Sequence, residues 1–266
     1  MKKIFLSADI EGTCGIAHWD ETGKNKPDYT PFADQMTREV AAACEGVLAG
    51  GADEILVKDA HDSARNIHPE ALPEQARLFR GWARNPYIMM AGLDETFDGV
   101  LFTGYHSGAA MNGNPLSHTM NTQNNHVKIN GILAPELMLN SLTAAMLKVP
   151  VLMVTGDKML CEWVKTMNPN ILTVPVNEGL GNGSVSIHPA LAVRRIRETA
   201  EKAMALDPKM CKFPLPDHFT VEINYKEHYL AYRNSFYPGC VQVDSRTVRY
   251  EADAYMDVLK FLLFCL

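Results

Sequence analysis

An α/β fold is predicted for this 266-residue chain: a mostly parallel central sheet flanked by helices, with a smaller C-terminal α+β portion. Three features predict it. Short apolar runs alternate with amphipathic segments of helical period over the first two-thirds, the pattern of strands joined by crossover helices. Acids and histidines punctuate the ends of those runs, where open α/β sheets collect ligands. Beyond residue 210 the pattern changes to closely spaced strand-like stretches, with the proline-bearing "CKFPLPDHF" at 211–219 as a seam. The expected division is an α/β unit over 1–210 and a smaller α+β portion over 211–266 packed on it.

In chain order, "KIFLSA" at 3–8 reads as the first strand. "PFADQMTREVAAACEGVLAGG" at 31–51 has helical spacing and a Gly50-Gly51 stop. "EILVKD" at 54–59 and "GVLFTGYH" at 99–106 are the second and third strands. "HVKINGIL" at 126–133 reads as a strand pair turning at Asn130-Gly131, a dipeptide suited to a tight hairpin. "APELMLNSLTAAMLKV" at 134–149 is a run of good helix formers with proline near its start. "PVLMVTGD" at 150–157 is a buried strand, "KMLCEWVKTM" at 158–167 a short helix and "ILTVPV" at 171–176 a further strand. The glycine-rich "GLGNGS" at 179–184 reads as a flexible loop near the site, and 188–206 as a long amphipathic helix. In the tail, "FTVEINY", "YLAYRNS" and "CVQVDSRTVRYEA" are strand-like and "DAYMDVLKFLLFCL" is a helix.

Composition excludes several classes. Hydrophobic residues at 47% and charged residues at 21% suit a globular chain with an ample core. The net charge is −6, and the one dense basic stretch, "RRIRE" at 194–198, lies on a helix, so no nucleic-acid partner is expected. The longest apolar stretch, 131–154, is interrupted by Glu136, Asn140, Lys148 and two prolines, so no membrane partner is expected. "MKKIFLSADIEG" lacks a secretory apolar core, which makes a cytoplasmic protein the expectation. Six cysteines without a C-x-x-C pair read as reduced thiols rather than a disulfide frame or zinc ribbon.

The strand ends carry the chemistry. The first ends in Asp9-x-Glu11-Gly12; residues two apart in extended chain face one side, so two carboxylates stand together. Such a pair is costly unless something positive lies between. The second strand ends in "VKDAHD", with Asp59, His61 and Asp62; the third ends in "TGYHSG", with His106. "PLSHTM" supplies His118 in the loop after it, and Glu136 sits in the first turn of the next helix. Three carboxylates and two histidines exceed the three protein ligands of a single catalytic zinc. They suit two metals about 3.5–4 Å apart sharing a carboxylate. Mixed ligation favours zinc, with manganese, cobalt and iron as alternatives. Asp59 and Asp62 are candidates to orient His61, and Asn140, at i+4 from Glu136, to face the same site. P-loop, G-x-S-x-G and H-E-x-x-H motifs are absent.

In "ADIEG", "VKDAHD", "FTGYHS", "LSHTM", "APELMLN" and "VPVLMVTGD", in this order, the chain resembles the D-aminopeptidase family, the DppA-like M55 metallopeptidases. The resemblance is specific to about residue 160 and looser beyond. It implies two zinc ions per chain, held by Asp9, Glu11, His61, His106 and Glu136, with Asp9 as the bridge. It implies that His118 is the catalytic histidine, as nucleophile or base. The family reads Ser-His-Ser-Met where this chain has Thr119, a change expected to narrow the pocket and spare the imidazole. It further implies a ring-like homo-oligomer, a decamer, with sites facing an internal channel.

The expected function is thus a dinuclear zinc aminopeptidase, its catalytic unit in 1–210, releasing N-terminal and by resemblance D-configured residues from short peptides or amides. Metal-activated water would attack, with His118 handling protons. Two other readings stand beside it. One is a dinuclear amidase for another small amide, such as a peptidoglycan fragment; the other is a non-catalytic metal-dependent ring. A substrate panel separates the first, and metal without turnover the second.

Overall fold

The computed structural model describes residues 1–266. The first half of the central sheet is built from β1 (Lys3–Ala8), helix α1 (Tyr29–Ala49), β2 (Glu54–Asp59), β3 (Ala76–Phe79) and β4 (Gly99–Tyr105). A hairpin comes next, β5 (Asn124–Ile129) and β6 (Ile132–Leu133), then α2 (Glu136–Met146), β7 (Val151–Asp157), α3 (Lys158–Met167), β8 (Leu172–Leu180) and β9 (Gly183–Ser186). The chain closes with α4 (Pro189–Ala203), β10 (Phe219–Tyr225), α5 (His228–Asn234), β11 (Val241–Gln242), β12 (Thr247–Ala252) and α6 (Tyr255–Cys265).

The central sheet runs β3-β2-β1-β4-β7-β8-β9, and every pair is parallel except the β8–β9 hairpin. The mostly parallel sheet expected from the alternation is therefore present. Successive residues of β1 supply different cores, as a sheet covered on both faces requires. Ile4 and Leu6 pack with α1 and α4, whereas Phe5 packs with α2, α6 and a second sheet. Strand order reverses around β1, whose neighbours are β2 on one side and β4 on the other, so a crevice opens beyond their carboxyl ends.

The second sheet is antiparallel, β11-β12-β10-β5-β6. It draws β5 and β6 from the middle of the chain and the rest from the tail, so it lies on both sides of the 210/211 division expected from the sequence. The reason is the enlarged β4-to-α2 connection, whose hairpin offers an edge that β10 pairs with over Val221–Tyr225. That hairpin turns at Asn130-Gly131 as expected, both with positive φ (51° and 80°). The passage after α4 buries Cys211 in one core and Phe213 in the other.

Two local expectations are corrected, and one strand is added to those expected. "YLAYRNS" is helical, forming most of α5; its aromatic residues favoured a strand, but Leu230, Ala231 and Asn234 face inward at helical spacing. "GLGNGS" is a tight hairpin turn with Gly181 at φ 61°, and it does not line the site cavity. Strand β3 has no alternation in sequence to betray it and is set by pairing with β2. All six cysteines are free, and Cys240 alone is not buried. No helix is long and apolar enough to cross a membrane.

Glu39 on α1 ties the loop after β1 to the helix, accepting from Cys14 N–H (3.0 Å) and from Gln35 Nε2 (2.8 Å). Burial raises its carboxyl to about 7, only partly offset by those bonds. Because the folded pKa lies above the unfolded one, this contribution to stability is full below about pH 4.5 and is lost as pH rises through about 7. The loss is on the order of 3 kcal/mol. Denaturant midpoints measured from pH 4.5 to 8 are expected to fall in wild type and to fall less steeply in Glu39→Gln, the remaining slope belonging to groups such as Asp9 whose folded pKa is also raised.

Candidate metal centre

Chain ends converge at the crevice. Asp9 and Glu11 come after β1, His61 after β2 and His106 after β4, and Glu136 opens α2. The sequence placed Asp9 and Glu11 together by strand alternation; in fact β1 stops at Ala8 and a turn brings them together. Glycine permits that turn. A Cβ on Gly12 would lie 1.8 Å from the Tyr105 carbonyl oxygen, and Gly12 N–H instead donates to Gly104 O at 2.8 Å. Gly104 itself has φ +67° and faces the Asp9 carbonyl.

The donor atoms form two groups, Asp9 with Glu11 and His61, and His106 with His118 and Glu136. His61 Nδ1 lies 3.3 Å from Asp9 Oδ1 and 3.2 Å from Glu11 Oε2. The other Asp9 oxygen, Oδ2, lies 3.5 Å from His106 Nε2, so Asp9 spans both groups. Glu136 Oε1 is 3.7 Å from His106 Nε2 and 3.5 Å from His118 Nε2. His118 stacks on His106 at 4.5 Å between centroids and meets the Trp19 ring edge-on. All six residues except His118 are buried.

Each imidazole is aimed by a backbone carbonyl at 2.9 Å: His61 Nε2 on Thr22 O, His106 Nδ1 on Ser107 O and His118 Nδ1 on Leu116 O. A carbonyl only accepts, so those nitrogens carry the protons and the inward nitrogens offer lone pairs. Buried Glu11 Oε2 and His106 Nε2 have no hydrogen-bond partner, although native structures rarely leave such atoms unpaired. A divalent cation fits this donor set, and the titration of these groups shows the same need for positive charge. Burial and the neighbouring Glu11 push Asp9 well up, whereas His61 outweighs burial at Glu11 and holds it low. Burial alone would lower His106, but Glu136, Glu11 and Asp9 raise it to about 9. Without a metal, second protons on the inward nitrogens of His61 and His106 supply the positive charge the acids require, and a cation bound there would displace them.

Outer contacts correct several expectations. Asp59 does not touch the His61 ring; it accepts from Asn66 N–H (2.5 Å) and Ile67 N–H (2.9 Å), capping the 60–67 loop. Asp62 lines the cavity and gives its carbonyl to Trp82 Nε1. Asn140 points beneath the centre, donating to Tyr105 Oη at 2.9 Å. Thr119 is fully buried, donates to Ala134 O and accepts from Ala109 N–H, so it braces the His118 loop and does not narrow the cavity. The cavity, about 400 Å³, has Trp19, Trp82, Ile88 and Met120 as further walls. No sequence signal marks these four, because each reaches the site from a loop or a single 3₁₀ turn too short for periodicity.

A model of the peptidase M55 family, described as D-aminopeptidase, matches residues 1–264. The chain belongs to this family. As an M55 member it is an aminopeptidase, a hydrolase of peptide and amide bonds. It is 30% identical over 263 residues to the D-aminopeptidase of Bacillus subtilis, covering 98% of this chain and 95% of that protein. A solved structure from the same organism, the Zn-dependent D-aminopeptidase DppA, described as a self-compartmentalizing protease, superposes with a TM-score of 0.91 at 29% identity. The match covers 99% of this M55 chain and 96% of that one.

Proposed function

We propose that the protein is a dinuclear zinc aminopeptidase that releases N-terminal D-residues from short peptides or amides. The carrying observation is the pair of donor groups joined by Asp9, one carboxylate oxygen toward each. Glu11 and His61 would complete one metal position, and His106 and Glu136 the other, with Asp9 between. Zinc is favoured by the donor mixture and by the zinc dependence named for the Bacillus relative. When bound, it supplies Lewis acidity to a carbonyl and to water.

The protein's own groups do the rest. His118 is the least buried of the three histidines, its side chain 14% exposed against 9% and 0%, and it lines the cavity, with Nδ1 held by the Leu116 carbonyl. It takes the proton of the attacking water and returns it to the leaving amine. Trp19 and His106 hold the ring between them. Asp62, the one carboxylate of the cavity outside both metal positions, suits a substrate's free ammonium group. A second reading, His118 as a further ligand, is favoured by its 3.5 Å approach to Glu136; counting metal in a His118 variant separates the two. Assembly into a self-compartmentalizing homo-oligomer, as named for the relative, would cover the exposed aromatic face of Tyr229, Tyr232, Phe236 and Phe264.

The test is hydrolysis of matched D- and L-alanyl amides and dipeptides by zinc-loaded protein, with a chelated control. Chelator-sensitive cleavage of the D series is expected. Cleavage of the L series alone would reject the stereochemical preference, and cleavage of neither with two zincs bound would favour the amidase reading.

A further inference from the structure

A second cavity, about 200 Å³, lies beside the cavity that holds the metal centre, and Ile88 and Met120 line both. Its far wall is one face of α6, Leu259, Leu262 and Leu263, together with Leu266, and Tyr87 stands beside Ile88. Its two polar residues have their amide donors engaged elsewhere. Asn121 Nδ2 binds Leu266 O, and Asn140 Nδ2 binds Tyr105 Oη and Met89 Sδ. The cavity therefore offers a guest little beyond contact with hydrocarbon. Dry cavities of about 150 Å³ lined by aliphatic residues hold a benzene ring, so this one is large enough for an isobutyl or benzyl group.

The shared wall is unusual in its backbone. Ile88 has φ 47° and Met120 φ 65°, left-handed conformations that a β-branched residue in particular avoids. Such strain persists where surrounding structure imposes it, and it concentrates at ligand-binding sites. Met120 is also tied to the centre, its N–H donating to Glu136 Oε1 at 2.7 Å. The two residues thus form a waist between the acidic cavity and the apolar one.

We infer that this apolar cavity receives the side chain of the substrate's N-terminal residue, and that the protein selects bulky aliphatic or benzyl side chains over methyl. The inference rests on the aminopeptidase reading above. In such a substrate the N-terminal Cα is bonded to the scissile carbonyl carbon, so its side chain must enter a space that opens on the metal centre. The other adjoining cleft, beyond Trp19 and His118, is lined by Ser117, Thr122, Asn124, Asn125 and Lys226 and is polar. Only the cavity beyond Ile88 and Met120 matches hydrocarbon.

Amino-acid amides carry a single side chain and make the test unambiguous. Zinc-loaded protein is assayed on alanine, leucine and phenylalanine amides of both configurations. The leucine-to-alanine ratio of kcat/KM is expected at about tenfold to a hundredfold in the hydrolysed series. Leu263→Trp, a half-buried position where added bulk fills the cavity, is expected to lower that ratio at least tenfold, whereas Lys260→Gln, on the exposed side of α6, leaves it unchanged. Metal-free protein titrated with D-leucine amide is expected to shift the methyl resonances of Met120 and Leu262, which reads binding without turnover. Turnover with a ratio near one, or a ratio that Leu263→Trp does not alter, overturns the inference and spares the aminopeptidase reading. No turnover on any amide overturns that reading instead, and the methyl shifts then decide the cavity by themselves.

Discussion

His118→Ala is expected to keep two metals per chain and to lose hydrolysis by about 10²–10⁴-fold, the usual worth of a positioned proton-transfer group. His118 belongs to the cluster, 3.5 Å from Glu136, yet its removal leaves Asp9, Glu11, His61, His106 and Glu136 in place. Elemental analysis beside steady-state kinetics checks both halves. A variant that retains two zincs and wild-type turnover would exclude the proton-transfer role. One that drops to a single zinc would make His118 a ligand, because its Nε2 faces the same centre as His106 Nε2.

Asp9→Ala is expected to empty both positions and reduce activity to that of chelated protein. Its two oxygens face His61 and His106, one each, so no single-site loss is predicted. The fold should survive. In the metal-free state Asp9 is a buried carboxyl beside Glu11, pushed well above the ordinary range, and its removal relieves that crowding. Melting curves of chelated variant and chelated wild type should therefore agree, or favour the variant. Two zincs per variant chain by elemental analysis would sink the bridging role.

These residues were legible in the sequence because their signal is local. A parallel strand is a short apolar run, and the residues just after it stand at the sheet's carboxyl edge whatever the rest of the chain does. Asp9, Glu11, His61 and His106 obey that rule, Glu136 opens the helix that leads into the next strand, and the helices between them come from the 3.6-residue period. The chemistry of a mixed acid and imidazole set is likewise carried by residue type.

Partners brought in by folding leave no such trace. Nothing near Thr22 indicates that its carbonyl aims His61, and nothing near Trp19 indicates that its ring stands on His118. Asp59 and His61 look like partners at a spacing of two, yet the 60–67 loop turns the carboxylate onto Asn66 and Ile67. β10 joins the β5–β6 hairpin across some ninety residues, and α6 closes the apolar cavity against Ile88 and Met120 from the far end of the chain. Periodicity and composition act over a few residues, so they placed most of the strands and helices and the metal-competent residue types at the sheet's carboxyl edge. The orientation of each of those side chains and the shape of the space around it depend on contacts between distant segments, and those exist only once the two sheets have packed.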